Sequence, residues 1–427
     1  MEIRFIDLFA GIGGIRKGFE AACDFQGIKH TCVFTSEIKP HAIAVLQQNH
    51  PDEEIHGDIT KIEAKSIPDF DVLLAGFPCQ AFSAAGKRLG FEDTRGTLFF
   101  DVARILKTKK PKGFVLENVE GLVNHDRENP KDPIGRTLAT ILATLDELGY
   151  KTAWRVLNAK DFGVPQDRKR IYIIGTRRKT PDLTNFENSS ATVGDVLESG
   201  LETSNSKFVQ NLLNHYTVDQ LVGKAIKDKR GGSSNIHSWD IELKGPVTAA
   251  QKQLLNEMLK KRRSHKWAEE YGIDWMDGMP LTIKQIRTFY DVPDLKKMLN
   301  DLVKKKYVRY EHPKKLVGRI RIQDETLPKG YNIVAGKMSF EVSKVLSPDE
   351  IAPTLVAMDM QHLFVRDGNG IRPLSLREGL RMFGYPDDFK FDVSIADGYD
   401  LLGNTVVVPV IKAVAERLLD AIGGTRS

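Results

Sequence analysis

A cysteine that leaves an apolar strand through Gly76-Phe77-Pro78 and enters the polar loop Gln80-Ala81-Phe82-Ser83 is placed to act as a nucleophile. Most free cysteines are small buried hydrophobes, and Cys23 and Cys32 fit that description. Cys79 departs from it. Pro78 fixes φ and removes a donor, a cost the turn must need, and a thiol exposed near a helix start or basic groups ionises to a reactive thiolate. Glu117-Asn118 ends another such strand and could face Cys79 across the sheet edge; a helix-capping role suits that pair equally well. A nucleophile with a carboxyl acid beside it can add to an electron-poor ring while a ring nitrogen takes a proton. In Gln166-Asp167-Arg168-Lys169-Arg170, a period of two sends Gln166, Arg168 and Arg170 to one side. Guanidinium forks there suit a base carbonyl or a phosphate; the alternative is a solvated strand entry.

A second group of residues has the chemistry of ligand binding. Phe9-Ala10-Gly11-Ile12-Gly13-Gly14 marks a strand-to-helix turn, where glycine admits a ligand to the backbone and the helix start offers free N–H groups. The dinucleotide fingerprint needs a third glycine where this chain has Arg16, which disfavours a pyrophosphate. Glu37, at the end of the second strand, is placed to accept from ribose hydroxyls, and Asp58, ending the third, from an adenine amine. Singly, each acid is an ordinary surface carboxylate. At successive strand ends they suggest a nucleoside cofactor without a bridging pyrophosphate, which S-adenosyl-L-methionine matches.

The elements that must position these residues are short apolar runs at residues 3–9, 32–35, 71–75, 113–116 and 170–175, with helical patterns between the earlier ones. That alternation predicts an α/β fold with a doubly wound, mostly parallel sheet whose strands are covered on both faces. The polar residues sit at the carboxyl ends of the strands, where such sheets bind ligands. From about Lys179 the pattern changes. Residues 198–240, rich in Ser, Asn, Lys and Gly, predict loops with little core, and residues 249–270 one long basic helix. Residues 281–290 and 295–306 read as two helices across a turn, followed by a hairpin of 307–310 with 318–322. That is a winged-helix-like order near 281–322, which would place a helix in a DNA groove; the alternative is a helical insert without groove contact. Ser375 is placed to cap a helix over 376–383, and residues 406–419 predict a packed final helix.

With 427 residues, 41% hydrophobic and 28% charged, the composition is that of a soluble protein of two or three domains. No apolar run approaches the ~18 residues of a membrane span, and MEIRFIDLFAGIGG lacks the features of a secretory signal. Three cysteines without a CxxC pair argue against a disulfide framework or a cysteine-based zinc site, so no metal is expected and a cytoplasmic location fits. The net charge is +5, unevenly spread. Between Gln251 and Arg321 lie 18 Lys+Arg against 9 Asp+Glu, leaving the rest of the chain at −4. A basic segment beside a mildly acidic body suggests a nucleic-acid surface; solvated Lys-rich helix faces would give the same count.

DLFAGIGG, GFPCQAFS, ENVEGL, QDRKRIYIIG, RPLSLREGLRMFGYPDDF and GNTVVVPV follow one another in the order of the C5-cytosine DNA methyltransferases, and the chain resembles that family, its bacterial modification enzymes in particular, over residues 3–178 and 350–415. The resemblance implies a catalytic domain split as 1–184 and 366–427 around a target-recognition domain at 185–365. It implies that Cys79 attacks C6 of a cytosine flipped out of double-stranded DNA, that Glu117 holds and protonates N3, and that Arg168 and Arg170 lie near the base and its phosphate. Phe9, Gly11, Gly13, Glu37, Asp58, Pro78, Asn404 and Val406 would bind S-adenosyl-L-methionine. Gln80, Ser83, Asn118, Gln166 and the Thr354-Leu355 pair would meet the DNA. Ile38 stands where many relatives carry a Trp, and Leu401 where many carry a Gln. The implied enzyme is a monomer, nucleoid-associated when bound to DNA, with a cognate restriction endonuclease as a genetic rather than physical partner. Three other assignments compete: a tRNA cytosine-5 methyltransferase, which has a smaller insert; a nicotinamide-dependent oxidoreductase, which needs the missing glycine; and a DNA-binding repressor without catalysis.

Overall fold

The apolar runs of the first part of the chain become the buried strands of one sheet. The computed structural model describes residues 2–77, 98–129, 131–228, 235–318, 320–334 and 340–423. Its first elements are β1 (Glu2–Leu8), α1 (Gly14–Phe25), β2 (Lys29–Ser36), α2 (Pro40–Asn49), β3 (Ile55–His56), β4 (Val72–Ala75), α3 (Leu98–Lys109), β5 (Gly113–Val119), α4 (Arg136–Glu147), β6 (Lys151–Asn158) and β7 (Lys169–Thr176). The sheet order is β3-β2-β1-β4-β5-β7-β6, a doubly wound α/β arrangement. The pairs from β3 to β5 are parallel. Helices α3 and α4 cover one face, packing Phe99, Val102, Leu106, Leu138 and Ile141 against Leu73, Phe114 and Leu116.

β7 runs antiparallel to both β5 and β6, unlike the other apolar strands. Only residues 159–168 separate it from β6, too short a link for the crossover that parallel pairing needs. β6 escapes a search for apolar runs because Lys151, Thr152 and Arg155 interrupt it, as an edge strand allows.

The contacts divide the chain into two compact units, Met1–Glu198 with Pro348–Met360 and Leu374–Ser427, and Ser199–Ser347 with Gln361–Pro373. These limits differ from a domain at 185–365. Residues 185–198 and 348–360 are tied to the large sheet's unit: Gly163 N donates to Ser189 O (2.8 Å), Val193 N to Glu350 O (2.9 Å) and Asp167 N to Ala352 O (2.9 Å).

The second unit contains α5 (Lys207–His215), α6 (Val218–Leu221), β8 (Ala225–Ile226), β9 (Asn235–Ile236), α7 (Ala249–Lys261), α8 (Lys266–Tyr271), α9 (Ile283–Arg287), α10 (Leu295–Lys304), β10 (Val308–Glu311), β11 (Lys314–Val317), β12 (Ile320–Gln323), β13 (Gly330–Ile333), β14 (Lys344–Val345), β15 (Leu363–Asp367) and β16 (Gly370–Pro373). Residues 366–373 fall here because β15 and β16 form a hairpin. Residues 198–240 are not coreless: Val209, Leu212, Leu221, Ile226 and Ile236 share a buried cluster with Val345, Phe364 and Ile371. The expected long basic helix breaks into α7 and α8. Arg262 is buried at the break, where its guanidinium donates to Asn332 Oδ1 (2.7 Å), and the turn lets Trp267 enter the core. The expected hairpin is also re-paired, β10 with β13 and β11 with β12.

The chain returns to the first unit through α11 (Leu376–Met382), α12 (Ile395–Asn404) and α13 (Val408–Ile422). Ser375 caps α11 in a capping box with Glu378. α13 lies so close to α1 that a Cβ on Gly18 would fall 2.5 Å from Ile411 Cβ and 2.8 Å from Val408 O. Gly18→Ala should therefore lower the melting temperature, at an overpacking cost of about 1–3 kcal/mol. Thermal denaturation against Lys17→Ala, its neighbour in α1, checks this; equal melting of the two variants would contradict it.

Candidate active site

The carboxyl ends of β1, β2, β4 and β5 border one cavity of about 740 Å³. It opens where strand order reverses between β1 and β4, the switch point at which open α/β sheets take ligands. β1 ends in a tight turn: Phe9 and Gly11 have φ of 55° and 56°, and Gly13 N donates to Ala10 O at 2.8 Å. Among the described residues, its chain neighbours aside, no atom lies within 4 Å of the point where a Gly11 side chain would begin, so a ligand can rest on the backbone there. Arg16, in place of a third glycine, is buried and structural, with Nε on Glu20 (2.7 Å) and Nη2 on Glu53 (2.6 Å).

Glu37 is held rigidly at the cavity edge. Gly11 N donates to its Oε2 (2.7 Å), and Ile38 N and Lys39 N donate to its Oε1 (both 2.8 Å). A carboxylate has about four acceptor sites, so Oε2 keeps one for a ribose hydroxyl. Asp58 accepts from Thr60 Oγ1 (2.8 Å) and Thr60 N (3.1 Å), bonds that hold its carboxyl below the usual range. Ile38 is 68% exposed and lines the cavity, an apolar surface for a purine face. Phe9 and Asn404 line it too. This donor set, two carboxylates, open backbone and apolar side chains, fits an adenosyl group. Gly13 and Val406 do not line the cavity; Gly13 precedes α1, and Val406 Cγ2 packs 2.8 Å from where a Gly14 Cβ would lie.

At the far side of the cavity, Glu117 Oε1 lies 3.3 Å from Arg170 Nε. Burial raises the Glu117 carboxyl above its ordinary pKa, an effect that Arg170 and Arg168 only partly offset. A raised carboxyl holds its proton at higher pH, which suits a proton donor. Asn118 is 3% exposed and both ends of its carboxamide are spent within the protein: Nδ2 donates to Phe77 O (2.8 Å) and Oδ1 accepts from Val119 N (2.8 Å). It anchors the backbone at Phe77 and at the same time lines the cavity. Pro78, Cys79, Gln80 and Ser83 lie outside the described residues.

Four other expected DNA or base contacts are tied within the protein. Gln166 is wholly buried, its Nε2 donating to Met382 O (3.1 Å) and its Oε1 accepting from Leu355 N (3.1 Å). Leu355 is wholly buried as well, so its side chain faces the core. Arg168 lines the cavity but gives its guanidinium to Leu355 O (2.7 Å), Thr405 O (2.9 Å) and Gly403 O (3.2 Å); burial lowers it to about 10. Gln166 and Arg168 precede β7, so strand alternation does not govern them. Thr354 is half-buried, its Oγ1 donating to Asp167 O at 2.6 Å. Lys39 and Leu98 also line the cavity and carry no motif signal; only the sheet order brings them there.

Residues 3–420 match the family model of the C-5 cytosine-specific DNA methylases. The Type II methyltransferase M.NlaIV of Neisseria lactamica is 65% identical over 421 residues, covering 99% of this chain and 100% of that protein. M.BanI, a Type II methyltransferase of Aneurinibacillus aneurinilyticus, is 42% identical over 444 residues, covering 98% and 96%. Among solved structures, the S. pombe Dnmt2 methyltransferase superposes with a TM-score of 0.53 at 15% identity, covering 99% of this chain and 100% of that one. The Entamoeba histolytica methyltransferase EhMeth gives 0.52 at 15% identity, covering 99% of each. Those two likenesses concern the fold alone. The sheet, the cavity at its switch point and a family match across almost the whole length agree: the chain belongs to the C-5 cytosine-specific DNA methylase family and is a DNA cytosine-5 methyltransferase that uses S-adenosylmethionine.

Proposed function

We propose that this chain is the modification enzyme of a Type II restriction-modification system, methylating a flipped-out cytosine in a short duplex sequence through a covalent bond between Cys79 and C6. The Neisseria relatives that match it end to end are named Type II methyltransferases. The observation that carries the chemistry is the buried, pKa-raised Glu117 on the same cavity as Phe77, two residues before Cys79.

In this scheme Phe9, Gly11, Glu37, Ile38, Asp58 and Asn404 hold S-adenosylmethionine, which when bound supplies an electrophilic methyl group for C5. The Cys79 thiolate adds to C6 and the Glu117 carboxyl gives a proton to N3, so that the ring electrons collect at C5. Arg170 keeps the Glu117 carboxyl oriented and stabilises its carboxylate. After methylation a base takes the C5 proton, the C6–S bond breaks so that Cys79 leaves as thiolate, and the N3 proton returns to the Glu117 carboxylate. Arg168 positions the site without touching the base. The second unit is the target-recognition domain, and the enzyme works as a monomer in the bacterial cytoplasm, on DNA that a cognate endonuclease would otherwise cut.

Bisulfite sequencing of DNA from cells expressing the protein identifies the target; if every cytosine stays unmodified, the function falls. A duplex carrying 5-fluorocytosine at that position should trap the wild-type protein covalently, because fluorine cannot leave as a cation. Cys79→Ser should abolish trapping. Equal trapping by the variant would remove Cys79 as the nucleophile.

A further inference from the structure

Residues 249–333, joined by Trp239 and Val247, fold around a second core within the second unit. Leu254, Leu255, Met258, Trp267, Ile286, Leu295, Leu299, Leu302 and Tyr307 share one buried cluster, separate from that beneath the five-stranded sheet β16-β15-β14-β8-β9. Their order is helix pair α7–α8, an extended residue at Leu281, helices α9 and α10, then β10, the β11–β12 hairpin and β13. Leu281 and Tyr331 exchange both backbone hydrogen bonds (3.0 and 2.7 Å), and β13 pairs with β10 on its other side. A three-stranded sheet with a hairpin projecting between its last two strands, packed on a helix pair, is the topology of a winged helix. In that arrangement α10 is the second helix of a helix-turn-helix and β11–β12 the wing.

The surface of this module is basic to an extent that its own fold does not require. From Leu295 to Gln323 the sequence contains 10 Lys+Arg and 2 Asp+Glu. On α10, Leu295, Leu299 and Leu302 are buried, while Lys296, Lys297, Asn300 and Lys304 are exposed. At about 100° per residue these four occupy one arc of roughly 100°, turned away from the leucines. Asp301 binds Lys305 (2.7 Å), whereas Lys296, Lys297 and Lys304 have no ion-pair partner among the described residues. Tyr331 donates to Asn300 Oδ1 (3.0 Å), which orients the carboxamide with its NH2 left to donate. The wing leaves the apolar side chains of Leu316, Val317, Ile320 and Ile322 44–69% exposed. Lysines facing one way, a fixed carboxamide among them and an apolar ribbon beside them match a duplex: phosphates for the lysines, a base edge for the amide, sugar edges in a minor groove for the ribbon.

We propose that residues 249–333 are a winged-helix reader of duplex DNA, with α10 in a major groove, Asn300 on a base edge and the β11–β12 wing against the adjoining backbone. This deepens the target-recognition role given above to the second unit and rests on it. The module supplies part of the sequence preference at base pairs other than the one holding the target cytosine.

The test uses the full chain. Lys296→Gln/Lys297→Gln/Lys304→Gln should weaken duplex binding by about 10- to 100-fold near physiological salt and lower the slope of log K against log salt by about 2–3. Asn300→Ala should relax the preference at one base pair by roughly 10-fold or more, read by methylation of a randomised duplex library. Leu316→Ser/Ile320→Ser should weaken binding without changing the salt slope. S-adenosylmethionine binding, measured in parallel, should stay at the wild-type level in every variant. A triple-lysine variant with wild-type affinity and slope overturns the proposal, and wild-type preference in Asn300→Ala overturns the base contact. A wild-type chain that binds duplex with a steep salt slope yet methylates nothing would instead bring down the methyltransferase function and leave the reader standing.

Discussion

Glu117→Gln should slow methyl transfer by about 10²- to 10⁴-fold, the range that a positioned general acid contributes, while S-adenosylmethionine binding is little changed. The amide keeps the shape of the side chain and can still hydrogen-bond to N3, but it has no carboxyl proton to give. Without that proton, thiolate addition at C6 leaves negative charge on the ring, and C5 is not activated at low energy. The pH profile adds a second signature. Burial raises the Glu117 pKa, so the protonated acid persists above the usual carboxylate range and is lost as pH rises through the raised value. Wild-type single-turnover rates should fall on that alkaline side once the rising thiolate fraction of Cys79 no longer compensates. Glu117→Gln should lose this alkaline fall and rise with thiolate ionisation alone. A variant with the wild-type rate, or with the same alkaline fall, would mean that the ring proton comes from elsewhere. Rapid-quench measurement of methyl incorporation with the enzyme saturated by both substrates separates this effect from binding.

The parts of this molecule legible from residue order are those whose physics is local. A fully buried strand such as Val72–Ala75 must be a solid apolar run, and residues that end such strands must lie at the ligand-binding edge of the sheet. Glu37, Asp58 and Glu117 were readable on that ground, as was the cap at Ser375. What depends on partners distant in the chain was not. The amide of Asn118 and the guanidinium of Arg168 look like free polar groups in sequence, yet their acceptors are Phe77 O, Leu355 O, Gly403 O and Thr405 O. The wing hairpin shows the same effect in register: residues 308–311 pair with 330–333, far along the chain, while 320–323 pair with the nearer 314–317. The limits of the second unit differ from 185–365 because the ties of residues 348–360 to residues 165–168 and 193–194 join partners far apart in the chain, which residue order does not reveal.

Arg168→Met should destabilise the protein by roughly 3–5 kcal/mol, since three buried carbonyl oxygens would lose a charged donor with no water to replace it. Arg168 is 3% exposed and stacks over Phe383 at 5.1 Å, and methionine of similar length fills much of that space. The loss is therefore one of hydrogen bonding more than of volume. Leu355, Gly403 and Thr405 come from two segments that return to the large sheet late in the chain, so the guanidinium works as a pin through three strands of connection. Arg168→Lys should recover only part of the stability, because a single ammonium cannot present the planar fork that spans three acceptors. Hydrogen exchange should show residues 352–358 and 401–406 opening first in the variant, with a weaker affinity for S-adenosylmethionine as Asn404 loses its place on the cavity wall. Arg170→Met, by contrast, should spare the melting temperature and change the pH profile through Glu117. If Arg168→Met melted with the wild type and lost only catalytic rate, its guanidinium would have to act on the substrate, and the ties seen here would be incidental to stability.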